Sequence, residues 1–406
     1  MTTVSIGTSP IAHAHPYVAC HDQSSNVLSL WTFGEEPLLH ATIEDQVSRN
    51  IRPHAVSADR LLTQSIDDDG KSTILVHSLS DGRILSSYPL GSGAVYISRE
   101  GFIAGCDERA KLHVYELAAD GQLAERELRG QAASNSSDIP QAVHLTADVL
   151  IHSQVRHPDP TVHLTRLSPD APPSQASFPL TRTPPDDIPG VVMNSMLVNS
   201  LAIPSSSTFI TAHVEQVLDF TEDCPKTALR CIDAETLALG WCTLIDQHTE
   251  WLRYSTVGRG VVLAFGLLGT EEGAGLIALD ATTGTILRTE RIGLPPNKCG
   301  SLPNAVGGVH CDLTPSGDRV VVLFGDGQIS SVSVETFLAS GFVRDGESGL
   351  LMTSPCPEIP LSTPTNAKER RGKTNGAWTW INRAFVTEGG VVVVPNKGTD
   401  FVVLKW

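Results

Sequence analysis

His13 and His15 stand two residues apart in Ile11-Ala-His-Ala-His-Pro, a spacing that puts both imidazoles on one side of an extended strand. With His54, His144 and His310 they could offer nitrogens to a transition metal. They fall at unequal offsets and no carboxylate accompanies them, so no metal is assigned; such histidines also serve as hydrogen-bonding groups within their own sheet. Asp67, Asp68, Asp69 and Gly70 carry the charge of a calcium loop without its alternating ligands or its later Glu, which predicts a solvated turn. The patterns G-x-S-x-G, G-x-x-x-x-G-K-[ST] and H-E-x-x-H are absent, so no catalytic residue is assigned. What does recur is paired acid: Asp67 to Asp69, Asp107 with Glu108, Glu222 with Asp223, and Glu271 with Glu272. Grouped like charges raise the local negative potential and attract cationic ligands. The one concentrated basic run is Lys368, Arg370, Arg371 and Lys373, broken by Glu369.

The elements that must position these groups are strands. An apolar segment, a polar turn and a second, more alternating segment recur through the chain, as in Leu61-Leu-Thr-Gln-Ser-Ile … Ser72-Thr-Ile-Leu-Val-His and Val261-Val-Leu-Ala-Phe … Gly275-Leu-Ile-Ala-Leu-Asp. A short strand precedes each pair and a Gly- or Asp-containing turn follows it, as at Asp81-Gly82, Asp120-Gly121 and Thr283-Gly284. Eight such copies can be traced, each predicted to hold four antiparallel strands, with no persuasive helical period anywhere. A first strand that is apolar on both faces fits packing between neighbouring sheets. Four-stranded units at this spacing predict an all-β propeller spanning residues 1–406 as one domain, most simply with eight blades; seven blades and a two-domain sandwich are the alternatives. The last copy, Gly390 to Trp406, stops after its third strand, while Thr2 to Gly7 belongs to no copy. The N-terminal strand is therefore expected to complete the C-terminal blade and close the ring.

In this register the acidic groups take one structural place. Asp22, Asp67 to Asp69, Asp107 and Glu108, Asp159, Glu222 and Asp223, Glu271 and Glu272, and Asp326 all fall between the second and third strands of their units. Single Asp residues suit tight turns, but the pairs and the triple exceed that need. Two insertions, at about 182–198 and 344–377, are rich in Pro, Ser and Thr and are expected as loops at the same end of the sheets. The second carries the basic run.

Composition limits the partners. A net charge of −16 disfavours nucleic acid and anionic lipid, and no apolar run reaches membrane-span length. Eight cysteines without a CxxC pair, and an N-terminus without a signal-peptide pattern, lead to the expectation of free thiols in the cytoplasm or nucleus.

Gly308-Val-His-Cys-Asp-Leu-Thr-Pro-Ser-Gly-Asp-Arg-Val-Val-Val, with Asp326-Gly327 beyond it, resembles a repeat of the WD-repeat propeller superfamily, and Trp31 and Trp406 fall where such repeats place tryptophan. No copy keeps a Trp-Asp dipeptide. The resemblance implies a non-catalytic scaffold or adaptor for protein partners, without a cofactor, monomeric by itself. Leu276-Ile-Ala-Leu-Asp-Ala-Thr-Thr-Gly is similar to the repeat of quinoprotein-type propellers, which implies the alternative of a small-molecule-binding propeller enzyme. The sequence thus leads to an interaction propeller that presents an acidic loop face, with a basic partner segment as the natural ligand.

Overall fold

In the computed structural model the described residues are those of thirty-one strands, one helix and most of the tight turns beside them. The longer connections, among them 127–140, 180–192, 218–225, 293–308 and 344–380, lie largely or wholly outside the described residues.

The alternation read from the sequence becomes eight antiparallel sheets. Sheet one runs Ile11–Ala14, Tyr17–Asp22, Val27–Phe33 and Pro37–Glu44. Sheet two runs Ile51–Ser57, Arg60–Ile66, Ser72–Ser78 and Ile84–Leu90. Sheet three comprises Tyr96–Ile97, Phe102–Cys106, Leu112–Leu117 and Leu123–Arg126. Sheet four comprises Gln141–Leu145, Leu150–Arg156, Thr161–Leu167 and Ser174–Pro179. Sheet five is built from Met193–Ala202, Thr208–Val217, Lys226–Asp233 and Leu239–Ile245. Its first strand reaches back into the segment expected as an insertion loop. Sheet six follows with Gln247–Ser255, Val261–Leu268, Ala274–Asp280 and Ile286–Arg291. In each of these the strands lie in sequence order.

Sheet seven departs from expectation. Among the described residues it has three strands, Val309–Leu313, Arg319–Phe324 and Ile329–Ser333. In place of a fourth comes helix α1, Val334–Ser340. The sequence reading found no helix because seven residues hold barely two turns of periodicity. Local chemistry settles it: the Ser333 side chain accepts from the Thr336 amide as N-cap, Glu335 sits in the first turn, and Gly341 ends the helix at φ 79°. Val334 and Phe337 bury its inner side. In the eighth sheet Ile381–Thr387, Gly390–Pro395 and Asp400–Lys405 are joined by Thr2–Ser5, which is outermost beside Asp400–Lys405.

The chain groups into two compact units, Val4–Pro179 with Ala234–Ala238, and Met1–Thr3 with Leu180–Asp233 and Leu239–Trp406. Within the first unit Leu62, Ile74 and Val76 of sheet two pack on Ile103 and Leu123 of sheet three. Phe102, Ala104 and Val114 then pack on Leu145, Leu150 and Leu167 of sheet four. Within the second unit Ile210, Leu229 and Trp241 of sheet five meet Val262, Ala264 and Ile277 of sheet six. Val261, Leu263 and Phe265 face Val320, Val322 and Phe337 of sheet seven and α1. The second strand of sheet six is apolar on both faces because sheet five covers one face and sheet seven the other.

The outer strands of sheets one, two, five and six each hold a bulge, with the extra residue at His40, Leu85, Gly240 and Leu287. The residue just before it points outward: Leu39, Ile84, Leu239 and Ile286 are 42–46% exposed. The bulge re-aims the next side chain, so Leu85 and Leu287 turn back onto the inter-sheet cores.

Candidate functional site

The carboxylates singled out by sequence, Asp67, Asp68, Asp69, Asp107, Glu108, Glu222, Asp223, Glu271 and Glu272, lie outside the described residues, as do Lys368, Arg370, Arg371 and Lys373. The strands on either side of the acidic segments are described. Ile66 pairs with Ser72, Cys106 with Leu112, Glu215 with Lys226, and Leu267 with Ala274. Each acidic segment thus connects the second and third strands of one sheet.

Of the histidines, His13, His54, His144 and His310 lie on the first strands of sheets one, two, four and seven, opposite Val18, Leu62, Ile151 and Leu323. His15 lies outside the described residues. Among the described residues no group of three His, Cys, Asp or Glu side chains is placed to hold a metal. Cys231 and Cys311 are free thiols, and burial pushes the Cys311 thiol well above its ordinary range.

The sequence reading missed a set of buried polar residues. In sheet five Thr211, His213 and Arg230 are at most 1% exposed. Arg230 is opposite Thr211 in the register, and His213 lies two residues further along the same strand. Burial first, and the Arg230 charge second, hold the His213 imidazole down to about 3. Burial alone lowers His152 to about 4 and also lowers His144. In sheet two the Thr63 hydroxyl and His77 Nε2 are 2.9 Å apart, and Gln64 Nε2 donates to Ser72 Oγ at 2.9 Å. Sequence spacing gives no sign of which polar residues of an alternating or apolar strand end up buried.

These histidines give stability a pH dependence. They are neutral when folded, while in the unfolded chain they titrate near the ordinary value of about 6.5. Their contribution is complete above that pH and is lost as pH falls toward about 4, because only the unfolded chain takes up the protons. Urea unfolding is expected to show stability dropping between pH 6.5 and 4.5 by up to about 1.4 kcal/mol per pH unit for each histidine. His152→Gln should flatten that slope, and an unchanged slope would refute the assignment.

The turn resembling a quinoprotein repeat is occupied by structural bonding. Asp280 Oδ1 accepts from the amides of Thr282 at 2.9 Å and Thr283 at 3.2 Å, and Gly284 N donates to the Asp280 carbonyl at 2.8 Å. The turn is seated beneath the outer strand of sheet five, where Trp241 Nε1 donates to the Ala281 carbonyl at 3.0 Å and Thr243 Oγ1 to the Gly284 carbonyl at 2.7 Å. The same device recurs between sheets two and three, where Ser86 Oγ donates to the Gly121 carbonyl at 2.5 Å. The Ser-Gly-Asp turn of sheet seven is built likewise. Asp318 Oδ1 accepts from Thr314 Oγ1 at 2.6 Å and Ser316 Oγ at 2.7 Å, bonds that hold its carboxyl below the usual range. The buried Ser255 hydroxyl of sheet six reaches the Gly317 carbonyl at 2.6 Å. What these motifs do is join one sheet to the next.

No known protein family matches the chain, and no curated protein matches it in sequence. Solved structures do. A structure described as the Dos1 propeller aligns with a TM-score of 0.58 at 11% identity, covering 99% of this chain and 93% of that one. Sqt1 of Saccharomyces cerevisiae gives 0.56 at 12% identity over 100% and 98% of the two chains. The C-terminal WD40 domain of Sif2 gives 0.50 at 11% identity over 99% and 97%. With antiparallel sheets joined by their turn glycines and hydroxyls, the fold is that of a β-propeller.

Proposed function

We propose that this chain is a non-catalytic interaction scaffold whose acidic loop face receives a basic segment of a protein partner. The observation that carries the reading is the recurrence of carboxylates between second and third strands in six of eight units, with Asp22 ending the second strand of a seventh, on a chain of net charge −16. In a four-stranded antiparallel sheet that turn and the exit to the next sheet lie at the same end. The connection holding Lys368, Arg370, Arg371 and Lys373 leads into the first strand of the eighth sheet. A tethered basic arm beside an acidic rim acts at high effective concentration. Each exposed pair contributes only about 0.2–1 kcal/mol and is screened by salt, so the arm is a reversible competitor for the partner's site. The bonding of Asp280 and Asp318 within their own turns supports a scaffold over a quinone-dependent enzyme.

Deleting residues 345–375 is expected to leave the melting temperature nearly unchanged and to tighten binding of a synthetic poly-lysine peptide at low salt. Unfolding of the deletion variant, or cross-linking of the peptide to the opposite end of the sheets, would sink the proposal.

A further inference from the structure

In sheets two, three and six the turn from the third strand to the outer strand passes through a left-handed glycine, Gly82, Gly121 or Gly284. The matching turn of sheet five, within Ala234–Ala238, puts Leu237 there at φ 59°, and among the described residues no other non-glycine residue takes a positive φ. That conformation crowds the leucine Cβ against its own backbone, a strain that glycine avoids. The Leu237 side chain is nevertheless only 2% exposed. Burial therefore holds this turn down while its backbone pushes against the closed form.

The seat of this turn also differs from those of its sisters. Ala234–Ala238 groups with Val4–Pro179, the unit of sheets one to four, although the strands it joins belong to the other unit. Arg166 Nε of sheet four donates to the Ala234 carbonyl at 3.0 Å, as Trp241 Nε1 does to the matching Ala281 carbonyl. The sister turns add a hydroxyl on the glycine carbonyl, from Thr243 to Gly284 and from Ser86 to Gly121. Among the described residues no hydroxyl reaches the Leu237 carbonyl, while Ser174, opposite Arg166 in the register, has a buried hydroxyl with no hydrogen-bond partner. The sisters are pressed so close that a Cβ would come within 2.7 Å of Leu85 at Gly121 and 2.5 Å of the Trp241 ring at Gly284. Here the fold leaves room for a whole leucine.

We propose that Ala234–Ala238 is a spring-loaded latch: a strained strap, anchored by one side chain, that lifts off sheet four while the strands on both sides of it keep their pairing. Lifting lets Leu237 relax into the ordinary backbone regions and gives the Arg166 guanidinium and the Ser174 hydroxyl to water. Against it stands the exposure of a single leucine side chain. The two terms are of the same order, the condition for an open form that is measurably populated. The turn lies at the end of its sheet opposite the acidic connections, so the latch and the acidic loop face do not depend on each other.

Amide hydrogen exchange of the full chain, each rate divided by that of the same residue in the unfolded chain, compares residues 236–239 with the sister turn at 283–286. Residues 236–239 are expected to exchange at least about tenfold faster, at a rate that low urea leaves unchanged, the mark of local opening. Leu237→Ala keeps the strain and loses the anchor, and should speed exchange there by about tenfold more. Leu237→Gly loses both, so it should exchange about fivefold more slowly than Leu237→Ala, the reverse of the order these residues show at negative φ. Exchange at 283–286 should not move in either variant. The proposal is overturned if 236–239 are as protected as 283–286 in the unsubstituted chain, or if Leu237→Gly exchanges as fast as Leu237→Ala. It is also overturned if both turns speed up together, which would mean that the whole chain opens. The first comparison needs no variant, so it decides the matter even where a substitution prevents folding.

Discussion

Gly284→Val is expected to destabilise the protein by about 3–5 kcal/mol, the sum of a left-handed backbone that a β-branched residue resists and an overpacked contact. Gly284 has φ 70°, and a Cβ there would come within 2.5 Å of the Trp241 ring and 2.8 Å of Thr243 Oγ1. Trp241 cannot yield freely, since it is 9% exposed and Nε1 is bonded to the Ala281 carbonyl. Gly240, beside the same tryptophan, is the control: its Cβ would meet nothing closer than the Cys231 carbonyl at 3.6 Å. Gly240→Ala should therefore change stability by less than about 1 kcal/mol. Chemical denaturation of both variants checks the pair. Equal losses would mean that the turn is not seated under Trp241 in solution.

Removal of residues 1–8 is expected to cost on the order of several kcal/mol, through lost ladder hydrogen bonds and apolar cover. Thr2–Ser5 is the fourth strand of the last sheet, outside Asp400–Lys405, the strand order that closing the propeller through its first strand requires. Closure itself is our proposal. Without that strand Asp400–Lys405 becomes an open edge, so the truncated chain should also aggregate more readily. Thermal melts of the two chains decide the matter: a truncation that melts with the full chain leaves Thr2–Ser5 without a closing role.

Strand positions were legible in this sequence because the pattern is local. The apolar run Val261–Leu268, and the turns at Gly82, Gly121 and Gly284, state period and punctuation in adjacent residues, and a left-handed turn residue is written as glycine at each of those three. The recurrence of paired acids between second and third strands was legible for the same reason. What tertiary structure decided depends on residues far apart in the chain. Ser333 begins a helix rather than turning into a fourth strand, because Val334 and Phe337 find a pocket among Leu313, Val320 and Val322 against sheet six. Arg230 and His213 occur in strands that read as apolar or alternating, and only the fold takes both out of water. The Asp280 turn reads as chemistry until Trp241, about forty residues earlier, is seen to hold it. Sequence alone determined the strands, their turns and the charge of their connections, since each depends on neighbouring residues. Tertiary packing alone decided which polar groups are buried, since burial depends on what the rest of the chain brings alongside.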